Sequence, residues 1–430
     1  MLLCITKRNM IDMFRPVRGM KDLFGSDIDR YQFIINKAID IGKKYGFLHI
    51  STPILEHTDV FKRSIGDETD VVSKEMYTFE DRGGESLTLR PEGTAGVVRA
   101  IVSESLYQNL PVKLMYHGEM FRYDRPQKGR YRQFRQLGFE HIGEKNPYID
   151  ALTIAMGNEI LHAIGVFDFR IFINTLGDDE TRTNYTKALV KYLSRHKDSL
   201  SKESQIRLDK NPMRILDSKD KMDNEICSMA PLIVDYISKE AGNYFEKVCM
   251  LLDKIDINYD VDNFLVRGLD YYSHTAFEFK SIKEGSQNAL GGGGRYDKLL
   301  KMFGGPDVSG IGFAFGVERL MLHMQKEHFD KRIKTAVIPV SDNENDIAFE
   351  TLISLHNAGL NAEIILGGNI SKKMKHAHRQ NCDIAVIIGE DEIADNKVTV
   401  KFMQQNDIDN KMKSIHRGVL IPFLKDAYNI

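Results

Sequence analysis

The 430-residue sequence predicts an α+β chain. An antiparallel-sheet domain occupies 1–330 with a helical insertion at about 178–256, and a small α/β domain follows over 331–430. Three observations carry this. Residues 112–142 read as two strands of matched parity around a turn-rich centre. Residues 178–256 switch to helical spacing without glycine-rich turns, and from Thr335 onward apolar runs alternate with helical patterns in βαβα order.

Composition narrows the function before any motif does. Apolar residues at 42% and charged residues at 28% describe an ordinary globular protein. The formal charge of −2 leaves no chain-wide basic character, so nucleic acid must be met by local patches. Cys4, Cys227, Cys249 and Cys382 lie far apart without CxxC spacing, which fits reduced thiols rather than a zinc site. No apolar run reaches the ~18 residues of a membrane helix. The opening MLLCITKRNMID turns polar too soon for a secretory leader, so the expected compartment is the cytoplasm.

Taken in order, DIDRYQFIINKAIDIGKKYGF (27–47) spaces Phe33, Ile34, Ala38 and Ile41 as one face of a helix that Gly46 stops. Pro53 then makes LHISTPILE an edge or boundary strand. Leu114, Tyr116, Gly118, Met120 and Arg122 share one parity, as do Phe134, Gln136, Gly138, Glu140 and Ile142, with RPQKGR (125–130) as the hairpin loop between. Tyr185, Ala188, Leu189, Tyr192 and Leu193 mark a helix in the insertion. Strand patterning returns at 261–280, and ALGGGGRYDKLL reads as a tight glycine turn before a helix. A charged stretch, 325–334, reads as a linker or final helix.

Several segments combine residues suited to chemistry. In LTLRPEGTAG, Glu92 and Thr94 suit either a cationic amine or an ordinary helix N-terminus. Arg122, in an otherwise apolar parity, needs an anionic partner: a phosphate, or Glu140 bridging the two strands. FRYDRPQKGRYRQF interleaves cations with aromatic rings, which suits phosphate contacts and base stacking as well as a solvated tip. GIGFAFGVERL has GxGxxxG spacing and so misses the dinucleotide fingerprint; no GxxxxGK[ST] loop occurs. His141, His274, His376 and His378 fit no ligand spacing, so no metal site is expected. SKKMKHAHR (371–379) reads as a basic helix, either solvated or facing RNA.

Together and in this order, FKRSIGDETDVVSKEMYTFEDR, TLRPEGTAG, MFRYDRPQKGRYRQFRQLGFE, LVRGLDYY and FGVERL resemble the histidyl-tRNA synthetase family of class II aminoacyl-tRNA synthetases. The resemblance spans nearly the whole chain. It implies an antiparallel catalytic sheet, a C-terminal anticodon-binding domain and a homodimer built on the first helix and the Pro53 strand. The substrates implied are L-histidine, ATP with Mg²⁺ and tRNA(His). Carried over by position, Glu92, Gly93, Thr94 and Gln136 would surround the histidine α-amino end. Glu140 and Tyr272 would meet the imidazole, with Tyr271 and Tyr296 lining the pocket. Arg122 would contact the ATP α-phosphate and Arg319 the γ-phosphate. Arg267 would bind histidine and stabilise charge as its carboxylate attacks, while Arg130 and Lys128 would reach the tRNA acceptor end. The rival implied is a synthetase-like regulatory subunit of ATP phosphoribosyltransferase.

Overall fold

The helix expected at 27–47 forms over Ser26–Lys44 (α1), with Asp27 and Asp29 in its first turn and Lys43 and Lys44 in its last, each sign facing the favourable end of the helix dipole. It buries Ile34, Ile35, Ala38, Ile41 and Gly42. A β-carbon at Gly42 would stand 2.6 Å from Met115 Sδ and 2.8 Å from Phe139, so the helix reaches the sheet this closely only without a side chain there. The computed structural model describes residues 15–66, 69, 71–266, 271–283, 288–325, 333–403 and 412–428. The chain divides into two units, Met1–Phe329 and Asp330–Ile430.

The strands of the first unit are β1 (Leu48–His49), β2 (Leu55–His57), β3 (Tyr77–Glu80), β4 (Ser86–Leu89), β5 (Val112–Phe121), β6 (Gln133–Ile142), β7 (Phe169–Thr175), β8 (Asp260–Val261), β9 (Ser273–Ser281), β10 (Ala289–Tyr296) and β11 (Gly310–Gly316). Eight form one sheet in the order β1-β5-β6-β11-β10-β9-β7-β8, and β2-β4-β3 make a small second sheet. The large sheet is antiparallel except for its outermost pairs, β1 with β5 and β7 with β8. Pro53 falls in the break between β1 and β2, where its missing N–H leaves no ladder bond unmade.

Strand alternation divides the sheet into two chemical faces. Leu137, Phe139, Phe277, Phe279, Ile311, Phe313 and Phe315 bury one face with Ile154, Ile160 and Leu161 of the helix Pro147–Ala163 (α2). That helix is set by Pro147 at its start and by the Asn146 side chain accepting the Tyr148 N–H. The opposite parity carries the polar residues taken up below. The glycine run expected as a tight turn is instead the interior of β10, paired on both sides with β11 and β9. Unbranched backbone lets neighbouring strands keep close contact there, and it also clears space above the sheet.

The insertion builds its own apolar cluster from Tyr185, Leu189 and Leu193 of the helix Asp179–Leu193 (α3), with Leu200, Leu208, Ile215, Cys227 and Ile233. Its last helix, Lys239–Lys254 (α4), places Val248, Leu251 and Leu252 in the main core instead.

In the second unit the strands Thr335–Pro339 (β12), Ala362–Ile364 (β13), Ile384–Ile388 (β14), Lys397–Phe402 (β15) and Met412–His416 (β16) form a sheet in the order β13-β12-β14-β15-β16. The first three are parallel, and the last two add antiparallel. The basic run lies on the helix Ile370–Arg379 (α5). It is not one solvated face: Lys373 is 1% exposed and donates from Nζ to the Pro339 carbonyl at 2.8 Å. Lys372, Lys375 and Arg379 are exposed. Most of the charged stretch 325–334 lies outside the described residues.

Candidate active site

The polar face of the sheet is a grid whose register sets the site. Leu114, Glu140, Gly312, Gly294 and Ala276 are successive partners across β5, β6, β11, β10 and β9. The next row is Tyr116, Gly138, Ala314, Gly292 and Glu278. Gly118, Gln136 and Gly316 follow. Small residues thus separate the functional ones, and that is what the glycines are for. A β-carbon at Gly312 would stand 1.8 Å from Glu140 Oε2, and one at Gly310 would stand 2.3 Å from the Tyr296 ring.

Glu140 is 1% exposed. Its Oε1 accepts from the Thr94 hydroxyl at 2.7 Å and its Oε2 from the Tyr296 hydroxyl at 2.6 Å. Burial outweighs those two bonds, with nearby Glu92 adding to it, and the carboxyl is pushed up to about 8. Tyr296, Tyr271 and Tyr272 are all buried, with ring centroids 4.6 Å apart for Tyr271–Tyr272 and 5.7 Å for Tyr271–Tyr296. An aromatic wall with one high-pKa carboxylate at its base suits a flat, protonatable ring.

Glu92 lies just before the helix Thr94–Ser103, whose first-turn N–H groups of Thr94 and Ala95 each reach one of its oxygens at 2.8 Å. The helix-end reading and the amine-binding reading are therefore compatible, since each carboxylate oxygen has a second acceptor site. Burial raises its pKa, opposed by those backbone bonds and by Arg122. Gly93 admits the ring of Tyr116, which a β-carbon would meet at 2.0 Å; Gly138 does the same from the other side at 2.3 Å. Tyr116, buried beside Glu92 and Glu140, was not among the residues expected in the site, although its parity in the hairpin was the signal that pointed there. Gln136 Oε1 is buried with no hydrogen-bond partner among the described residues.

Arg122 does not pair with Glu140. The register places Glu140 opposite Leu114, while Arg122 continues the same row past Met120–Phe134 to bond Arg132 through the backbone. At roughly 3.4 Å per residue the row from Leu114 to Arg122 spans about 27 Å. Arg122 Nε instead donates to the Pro91 carbonyl at 2.8 Å, and its guanidinium sits over Phe134 at 5.5 Å. Arg319, on the short helix Val317–His323, donates to the carbonyls of Gly129 at 3.2 Å and Ala289 at 2.6 Å. Burial lowers its pKa, and the like charges of Arg130 and Arg122 lower it further. Half-buried cations that repel one another, with Glu278 and Asp124 opposing only in part, make a place that favours a polyanion. Arg130 pairs with Asp124 and, at 3.9 Å, with Glu75, so the hairpin tip is internally tied rather than simply solvated; Lys128 is exposed. Arg267 lies outside the described residues.

An antiparallel sheet thus carries an Arg-bearing hairpin and, beside it, a glycine strand that runs into a helix with a second Arg. A family model described as histidyl-tRNA synthetase matches residues 19–320, and an anticodon binding domain model matches 334–426. The chain belongs to the histidyl-tRNA synthetase family. It is 44% identical over 411 residues to a curated histidine–tRNA ligase of Rhodospirillum rubrum, covering 95% of this chain and 98% of that one. A relative of the same name from Gluconacetobacter diazotrophicus is 45% identical with the same coverage. The solved apo histidyl-tRNA synthetase of S. aureus superposes with a TM-score of 0.78 at 35% identity, covering 96% of this chain and all of that one, 100%. A Bacillus halodurans structure titled as an ATP phosphoribosyltransferase regulatory subunit/histidyl-tRNA synthetase is 21% identical with a TM-score of 0.60, a likeness of fold alone.

Proposed function

We propose that this chain is a histidine–tRNA ligase: it activates L-histidine with ATP to histidyl-adenylate and pyrophosphate, then transfers the histidyl group to the 3′ end of tRNA(His). The observation that carries the reading is Glu140 and Gln136 on one face of the hairpin, with Arg122 just past its last rung and bonded to Pro91 beside Glu92, in a chain so similar to curated ligases of that name.

In this reading Glu140 receives a ring N–H of the substrate, and the Thr94 and Tyr296 hydroxyls hold the carboxylate in place. An amino acid lacking that N–H would leave the buried carboxylate with its two hydroxyl bonds alone, one donor short, and such a loss discriminates against it. Glu92, Gly93, Thr94 and Gln136 surround the α-amino end, with Tyr271, Tyr272 and Tyr296 walling the ring. Arg122 and Arg319 draw the triphosphate along the row, Arg122 toward the α-phosphate and Arg319 toward the γ-phosphate. Arg267 neutralises charge as the histidine carboxylate attacks. Alignment and charge neutralisation supply most of the acceleration in such transfers. Mg²⁺ accompanying ATP adds charge neutralisation on the phosphates. Arg130 and Lys128 approach the tRNA acceptor end.

The reading includes a homodimer, supported by the exposed apolar side chains of Leu48 on edge strand β1 and of Ile54 and Leu55 in the segment that follows it. It places the protein in the cytoplasm; among the described residues no helix is long and apolar enough to cross a membrane. Charging of tRNA(His) with labelled histidine tests it. Label on the tRNA is expected, and folded protein that charges none would turn the reading toward the regulatory-subunit alternative.

A further inference from the structure

The ladder between β6 and β11 ends at Gln136–Gly316. Past that rung the chain leaves β11 for the helix Val317–His323, so the backbone N–H of Arg135 has no strand carbonyl opposite it. The Glu318 carboxylate takes that place. Its oxygens accept the Arg135 N–H at 3.1 and 2.9 Å, and one also accepts from Arg135 Nη1 at 3.3 Å. Glu318 is 6% exposed. The Arg135 guanidinium is held from its other sides by Glu119 at 3.3 Å and by the Tyr31 ring at 5.2 Å.

What the clamp joins is informative. Arg135 immediately precedes Gln136 on β6, and Glu318 immediately precedes Arg319. One buried side chain therefore ties the residue next to the amino-acid site to the residue next to the triphosphate site. We propose that Glu318 is a positioning residue that fixes Gln136 and Arg319 relative to each other, so that the two bound substrates meet in line. The inference rests on the reading of the site given above. A simple ion pair between Glu318 and Arg135 would need only the two side chains. The doubly accepted backbone N–H gives the clamp a fixed register that a surface pair lacks.

The test is steady-state pyrophosphate exchange with histidine and ATP varied separately, on wild type, Glu318→Ala, Glu318→Gln and Arg135→Ala. Misplacement by about 1 Å costs on the order of 100-fold in rate. Glu318→Ala is therefore expected to lower kcat by roughly 10- to 100-fold while each KM moves by less than about threefold. Glu318→Gln retains one acceptor oxygen for the N–H and should recover most of that loss. Arg135→Ala keeps the backbone N–H and should stay within about threefold of wild type. Unchanged kcat in Glu318→Ala overturns the proposal, as does a loss in Arg135→Ala equal to that in Glu318→Ala. If Glu318→Ala does not fold, Glu318→Asp replaces it, because it keeps the charge and shortens the reach; full kcat there rejects the clamp. An inactive wild type would fault the functional reading rather than this inference.

Discussion

Gly312 sits directly across the ladder from Glu140, and a β-carbon on it would lie 1.8 Å from Glu140 Oε2. The neighbour that must give way is a carboxyl already fixed by two hydroxyls, with no exposed direction in which to swing. Gly312→Ala is accordingly expected to weaken histidine binding by at least about tenfold, the equivalent of roughly 1.4 kcal/mol. ATP binding alone should be nearly unchanged. Isothermal titration with each ligand separately checks this, and equal histidine affinity in the variant would show that Glu140 does not read the ring.

The raised pKa of Glu140 makes ligand-free stability depend on pH in a definite direction. Its folded value of about 8 exceeds the ordinary 4.5. Native protein thus holds this proton more tightly than unfolded chain, and the associated stability is fully present below pH 4.5 and lost as pH rises through about 8. Glu140→Gln, neutral throughout, should therefore gain on wild type as pH rises from 5 to 9, by up to a few kcal/mol. Urea unfolding across that range decides it; parallel curves would contradict the assignment. The same variant should bind histidine more weakly at every pH.

Asp150 and Arg295 are both fully buried and paired, and Asp150 also accepts from Thr275 at 2.5 Å and Tyr244 at 3.1 Å. Asp150→Ala strands a guanidinium in the core, one residue before Tyr296. The expected loss is about 3–5 kcal/mol for the first unit, read as a lowered urea midpoint. A loss under about 1 kcal/mol would mean the charge finds water or another partner.

Arg319 and Arg122 are assigned to the triphosphate. At ATP about 100-fold above its Kd, wild type should gain about 2.7 kcal/mol of stability from binding. Because Arg319 also grips two backbone carbonyls, its loss will lower the ligand-free melting temperature too. The increment produced by ATP is the quantity to compare, and in Arg319→Ala it should fall by more than half. An undiminished increment excludes the phosphate role.

Much of this site was legible in the sequence because β-strand parity is a strict period. Tyr116, Gly118, Gln136, Gly138 and Glu140 fall on one face in the structure as their spacing requires. What the spacing could not supply was register. Arg122 and Glu140 share a parity and carry opposite charges, yet the hairpin sets them at opposite ends of the row. The glycine run misled for a related reason: local propensity reads four glycines as a turn, and only the close approach of the neighbouring strands explains why a strand needs them, since β-carbons at Gly291, Gly293 and Gly294 would stand 2.4, 1.9 and 2.6 Å from the carbonyl oxygens of Ala314, Gly312 and Thr275. Lys373 shows the same limit on α5, where a charged run hides one buried ammonium satisfied by the Pro339 carbonyl from another strand. The Glu318 clamp had no local signature, since its partner is 183 residues away.

The central claim is that the buried carboxylate at the base of the tyrosine wall selects histidine for activation. Its most direct test is pyrophosphate exchange into ATP by the purified wild-type chain, with each standard amino acid offered in turn. Exchange with histidine alone is the predicted result; exchange with none, or equally with amino acids that have no ring N–H, would contradict it.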